Sequence, residues 1–173
     1  MRRFKLWATL LGAAMFACSP ALDWREVRPE GSGAVVLFPC KPKSHTRSAI
    51  IAGVGTPMTL VSCSAAGATF AMSHAEVADP GRVSDALGEL RSALAANLGS
   101  TDARSAAFAL AGMTPNRQAV RLWLSGILPD GTPMQGQAAL FVRGTRVYQV
   151  VVLGPQLDEG AVSVFFEGLR LPS

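Results

Sequence analysis

The chain is poor in the residues that most often do chemistry. Its 173 residues include two histidines, three cysteines and one tyrosine. No His-Glu-x-x-His or Cys-x-x-Cys spacing is present, so the common zinc and redox signatures are missing. A Gly-x-Ser-x-Gly elbow for a serine nucleophile is missing too. Gly31-Ser32-Gly33 lacks both the spacing and the following Lys-Ser/Thr of a phosphate loop. These gaps exclude the motif-bearing metal, hydrolase and nucleotide sites, and they imply neither a catalytic residue, a metal ligand nor a cofactor. Internal repeats, low-complexity tracts and coiled-coil heptads are also lacking. The apolar run near the N-terminus, Leu6 to Ala17, is short of the roughly 20 residues of a membrane-spanning helix.

What is present begins with a leader. Arg2, Arg3 and Lys5 form a positive start, and Leu6 to Ala17 is an uncharged, mostly apolar run. That pattern and length are those of a signal peptide over residues 1–17. Pro20 interrupts the uncharged stretch before it could extend into a span.

Met15-Phe16-Ala17-Cys18 resembles the lipobox of bacterial lipoproteins, with a small residue immediately before the cysteine. The resemblance implies that Cys18 is acylated and becomes the mature N-terminus, anchoring the chain in a membrane. Ser19 is not the Asp that retains such proteins at the inner membrane, so the implied address is the periplasmic face of the outer membrane. The alternative is an ordinary signal peptide cut near Ala21, which discards Cys18 and leaves a soluble periplasmic protein.

Charge reads differently once the leader is set aside. The whole chain carries 16 basic and 12 acidic residues, net +4; without the three leader cations it carries 13 against 12, net +1. A near-neutral chain without a basic run has no electrostatic footprint for nucleic acid. Nor does it have a polybasic patch for membrane binding. The roughly 155 residues that follow suit one domain, expected over 34–173, with 18–33 as a lipidated N-terminus and tether.

Cys40 and Cys63 are the other two cysteines. In an oxidising compartment such a pair is read first as a disulfide, one that would stabilise the fold by roughly 3 kcal/mol on the chain-entropy account. A redox-active pair and two free buried thiols are the alternatives. Redox pairs usually sit close together, whereas a long segment separates these two.

Along the chain, Trp24 and Val27 lie in an amphipathic stretch suited to docking on the domain. Strands are expected at Ala34–Phe38, Thr46–Ile51, Met58–Ser64 and Ala68–His74. Gly53, Gly55 and Pro57 mark the turn between the second and third. This meander brings Cys40 beside Cys63 if the first and third strands approach. Asp79-Pro80 opens a helix with Asp as N-cap and Pro first inside; Val83, Leu87, Leu90, Leu94 and Leu98 recur at helical spacing up to Gly99. The Ala-rich segment 104–112 leans towards strand. Arg117–Leu128, Met134–Val142 and Arg146–Leu153 read as strands, with Pro129-Asp130-Gly131 and Arg143-Gly144 as turns. Asp158–Leu169 is the last helix, with Val162, Phe165, Phe166 and Leu169 on one face. The fold class is therefore α+β: an antiparallel sheet of about six strands flanked by two main helices.

Two stretches carry a further resemblance. One is Phe38-Pro39 at the end of the first strand. The other runs Gly144-Thr145-Arg146-Val147-Tyr148-Gln149-Val150, then Gly154-Pro155, then a helix with Phe165-Phe166 and Leu169-Arg170-Leu171. Together they resemble small bacterial envelope proteins with a PsbP-like α/β/α sandwich, related in fold to the extrinsic photosystem II protein PsbP. That layout covers most of 34–171. It implies helices on the faces of an antiparallel sheet. It implies no catalytic residue, because the family shares none, and many members are accessory or assembly factors.

The individual candidates have plain readings. His45 lies in the polar run Lys43-Ser44-His45-Thr46-Arg47 and reads as solvated. His74 stands near Ser73 and Glu76, the composition of a Ser/His/acid site, but reads as structural. Asp158-Glu159 suits a helix start by its dipole alone. Asp85 and Glu89 share an exposed helix face of mixed charge. Trp123 and Tyr148, expected on neighbouring strands, could form a ligand surface; core packing is the plainer reading. Met58, Met72 and Met134 permit an apolar ligand pocket, though Met is a common core filler. The expected function is a lipid-anchored, non-catalytic envelope protein that binds or steadies an envelope protein partner. A periplasmic small-ligand carrier and a thiol enzyme using Cys40 and Cys63 are the alternatives.

Overall fold

A computed structural model of the chain describes residues 22–100 and 102–172; the expected leader and Cys18 lie outside them. The fold is α+β, built on one antiparallel sheet of seven strands. In chain order the strands are β1 (Arg25–Val27), β2 (Val36–Phe38), β3 (Lys43–Ile51), β4 (Val54–Ala65), β5 (Ala68–Glu76), β6 (Asp102–Ala107), β7 (Val120–Ile127), β8 (Pro133–Arg143) and β9 (Arg146–Gly154). Two helices, α1 (Val83–Asn97) and α2 (Glu159–Glu167), complete it. The large sheet runs β3-β4-β5-β9-β8-β7-β6, and β1-β2 form a separate pair. Among the described residues no helix is long and apolar enough to cross a membrane.

The expected count of about six strands needs correction to seven. The Ala-rich segment 102–107 joins the large sheet as its edge, paired with β7. Val36–Phe38 leaves that sheet and pairs instead with Arg25–Val27. The stretch around Trp24 docks on the domain: Trp24 packs edge-on against Phe70, ring centroids 6.3 Å apart.

Local chemistry explains most element ends. Ala52 and Gly53 take positive φ, 51° and 74°, and close the β3–β4 hairpin in two residues. The turn is tighter than expected, and Gly55 and Pro57 fall inside β4. Proline is tolerated there because β4 pairs with β5 only from Met58 onward, so Pro57 has one unpaired side. Asp79 accepts from the Gly81 amide at 2.8 Å and caps a 3₁₀ turn, Pro80–Arg82, that leads into α1. Asp158 caps α2 by accepting from the Ala161 amide at 2.7 Å.

Strand alternation gives the sheet two apolar faces. On one, Val83, Ala86, Leu87 and Leu94 of α1, with Leu98 at its C-cap, pack on Val120, Leu122, Leu124, Leu140 and Val147. On the other, Val162 and Phe165 of α2, with Val36 and Phe38 of β2, pack on Phe70, Met72, Phe141 and Val150. Two glycines let α1 end directly on β7. A Cβ at Gly99 would sit 2.6 Å from the Ile127 carbonyl oxygen, and one at Gly126 would overlap the Leu98 carbonyl.

Cys40 and Cys63 stand at disulfide distance, with Cα atoms 6.0 Å apart. They meet because the small β1-β2 sheet lies over the face of the large sheet and carries Cys40 down onto β4. The first and third expected strands come together by stacking, not by pairing in one sheet.

Candidate functional site

The second face of the sheet carries the polar groups worth attention. Tyr148 of β9 is fully buried and stacks on Phe141 of β8, ring centroids 4.7 Å apart and planes 9° from parallel. Its hydroxyl donates to the Ser32 carbonyl at 2.7 Å. Arg146 donates to the same carbonyl at 3.4 Å and pairs with Glu76 at 3.0 Å. Ser32 is itself buried, donating from Oγ to the Pro29 carbonyl and accepting from the Ala34 amide. The loop 29–33 is therefore fastened from beneath. Burial raises the Tyr148 pKa above its ordinary value, with the nearby Arg146 and Arg143 pulling the other way.

His74 lies next to this fastening on β5, 8% exposed. The Glu30 carbonyl engages its ring, while Nε2 is buried without a partner. Burial first, then the Arg146 charge, holds its pKa below the usual 6.5; the Glu30 contact and Glu76 oppose. No Ser/His/acid arrangement forms around it. Ser73 is the adjacent strand residue and points to the opposite face. Glu76 is engaged by Arg146 and by the Thr145 hydroxyl.

Above the loop is an open cleft of about 840 Å³. Arg28, Arg143, Arg146 and Glu76 line it together with Gly33–Val35 and Pro172. Arg28 is paired with Glu26 at 3.0 Å, and Arg143 donates to the Pro172 carbonyl at 2.8 Å.

A second polar group surrounds Trp123 of β7. Trp123 and Tyr148 are not on neighbouring strands, since β8 runs between β7 and β9. Instead Arg104 lies over the indole at 4.2 Å and Arg121 at 5.4 Å. Arg121 also stacks 3.3 Å from the Phe166 ring. It donates to Gln137 Oε1 at 2.7 Å, and Gln137 Nε2 donates to both Glu159 oxygens at 3.0 Å. Burial lowers the Arg121 pKa to about 10, with Glu159 opposing, so the guanidinium stays charged near neutrality. Trp123, Gln137, Glu159 and Arg104 line a pocket of about 300 Å³.

The remaining expected residues fall elsewhere. His45 is exposed on β3. Glu89 does more than face water: its Oε2 accepts from the Ala52 amide at 2.6 Å and ties α1 to the β3–β4 turn. Asp85 keeps a loose pair with Arg82 at 3.8 Å. Met58 and Met134 belong to the α1 side and Met72 to the α2 side, so the three do not line one pocket. Cys18 lies outside the described residues. Among the described residues, no three His, Cys, Asp or Glu side chains converge on a metal position.

Sequence reading misses the Tyr148–Ser32 bond and the Arg121–Gln137–Glu159 chain. Arg121 sits in the outward half of a clean alternation, where a charge is ordinary; only the placement of α2 over that face buries it. Compared with known proteins, the chain matches no protein-family model and no curated protein.

Proposed function

We propose that the chain is a lipid-anchored, non-catalytic protein of the bacterial envelope. In this reading Cys18 carries the lipid at the periplasmic face of the outer membrane, and the PsbP-like domain serves as an accessory or interaction module. One observation carries the non-catalytic part: the groups best suited to chemistry already hold the fold together. Tyr148 and Ser32 fasten the 29–33 loop to β9. His74 is buried beneath the same loop. Cys40 and Cys63 are within bonding distance of each other, as a staple requires. A small-ligand carrier is the second reading, favoured by the 840 Å³ cleft and its three arginines.

The deciding measurement is the intact mass of the protein taken from its own envelope, unreduced and with free thiols alkylated. A diacylglyceryl-cysteine start with Cys40 and Cys63 unalkylated is expected. An unlipidated start after Ala21 with both thiols alkylated overturns the anchor and the staple together. Native mass spectrometry of the same preparation tests the carrier reading, which a reproducible co-purified ligand supports.

A further inference from the structure

The two outer strands of the large sheet differ. β6 has six residues, and its Arg104 is laid over Trp123. β3 has nine, pairs in unbroken register with β4 from Lys43↔Ser62 to Ile51↔Val54, and has neither bulge nor proline. Seven of its nine side chains are exposed. Along a strand with only one neighbour, every second residue turns its N–H and C=O outward, unpaired. Such a row can template another extended segment.

Side-chain chemistry narrows what that segment is. Lys43, His45 and Arg47 stand on one face of β3, with Lys41 just before it. Among the described residues none of Lys41, Lys43 and Arg47 has an ion-pair partner. No Asp or Glu occurs anywhere between Glu30 and Glu76, so no acidic residue of β3, β4 or their turn offsets these cations. At the hairpin end the character changes. Ile50 is 73% exposed and Val54 54% exposed, two large apolar side chains left in water. Like charges along the strand disfavour pairing with a second copy of itself, whereas opposite charges stabilise a cross-strand partner.

We propose that β3 is a docking edge for an extended acidic segment of a partner protein. The segment adds as an eighth strand: its carboxylates sit opposite Lys43 and Arg47, and an apolar residue covers Ile50. This rests on the interaction-module reading and supplies its surface and partner class; it does not depend on the lipid.

The test uses the full mature protein and a synthetic peptide as long as β3, alternating Glu with Thr and ending in Val-Ile. Amide exchange is followed by NMR, with a Lys-for-Glu peptide as control. Three results are expected: binding that weakens with salt, added protection at alternate amides of β3, and no binding of the Lys peptide. Reversing both charges, Lys43→Glu with Arg47→Glu, is expected to weaken binding about tenfold while leaving the melting transition and the Cys40–Cys63 bond in place. Binding without β3 protection, equal binding of both peptides, or a concentration-dependent dimer that protects β3 overturns the proposal. An unlipidated intact mass leaves a positive peptide result standing, and a negative peptide result leaves the anchor standing, so the two failures are distinguishable.

Discussion

The Tyr148 hydroxyl reaches the Ser32 carbonyl at 2.7 Å across a separation of 116 residues. It joins the centre of the sheet to a loop that precedes the first strand of the main sheet. Replacing Tyr148 with Phe keeps the stack on Phe141 and removes only this bond. A buried carbonyl that loses its donor costs about 1–2 kcal/mol. Denaturant unfolding of Tyr148→Phe is expected to show that loss, with faster amide exchange at Ser32 and Ala34. An unchanged midpoint would mean that Arg146 and the His74–Glu30 contact hold the loop without it.

His74 makes stability depend on pH. Its folded pKa lies below the unfolded 6.5, so the folded state prefers the neutral ring. The contribution is present above pH 6.5 and is lost as pH falls towards and through the folded value. The groups facing the ring are Arg146, Glu76 and the Glu30 carbonyl. Melting temperature is therefore expected to fall on acidification from about pH 7 to about pH 5. His74→Gln should flatten that slope; an equal slope in the variant assigns the effect to carboxylates instead.

Two glycine-to-alanine changes should move stability in opposite directions. Gly88 lies inside α1 with open space where a Cβ would go. Gly88→Ala is expected to add about 0.5–1 kcal/mol by lowering the entropy of the unfolded chain. Gly126→Ala puts its methyl into the Leu98 carbonyl and should cost about 2 kcal/mol or more. Thermal melts of both variants check the pair, and a neutral Gly126→Ala would show that the end of α1 can move off β7.

The Cys40–Cys63 pair is expected to act on stability alone. Changing both to Ser should lower unfolding free energy by about 3 kcal/mol and loosen β1 and β2, the elements that the bond holds over β4. Peptide binding at β3 serves as the readout that a structural staple should leave in place, measured at a temperature where the variant stays folded.

Local pattern carries much of this architecture. The alternation Val120, Leu122, Leu124 and the helical spacing Val83 to Leu98 both appear in the core as expected. The same holds for Val162 and Phe165 of α2. These signals are short-range, since each depends on a period of 2.0 or 3.6 residues. Strand order is not of that kind. Nothing near Tyr148 tells that β8 separates β9 from Trp123, and nothing near Val36 tells that it leaves the main sheet. Arg121 reads as a wet residue for the same reason: its burial is made by Phe166, from a helix beyond the next two strands. Candidate site residues are thus legible as types, while their partners come from long-range pairing.

The place of β9 also sets the order in which the molecule can be assembled. It lies between β5 and β8, pairing Phe70 with Val152 on one side and Ala138 with Val151 on the other. Without it, among the described residues, no strand pairing joins the meander β3-β4-β5 to the meander β6-β7-β8. A chain growing from its N-terminus finishes β3-β4-β5 at Glu76, long before residues 146–154 arrive to join it to β8, which ends only at Arg143. Sheet closure is therefore a late, long-range event of the sort that slows folding. Until then the inner edge of β5 is the exposed strand most in need of protection from other chains.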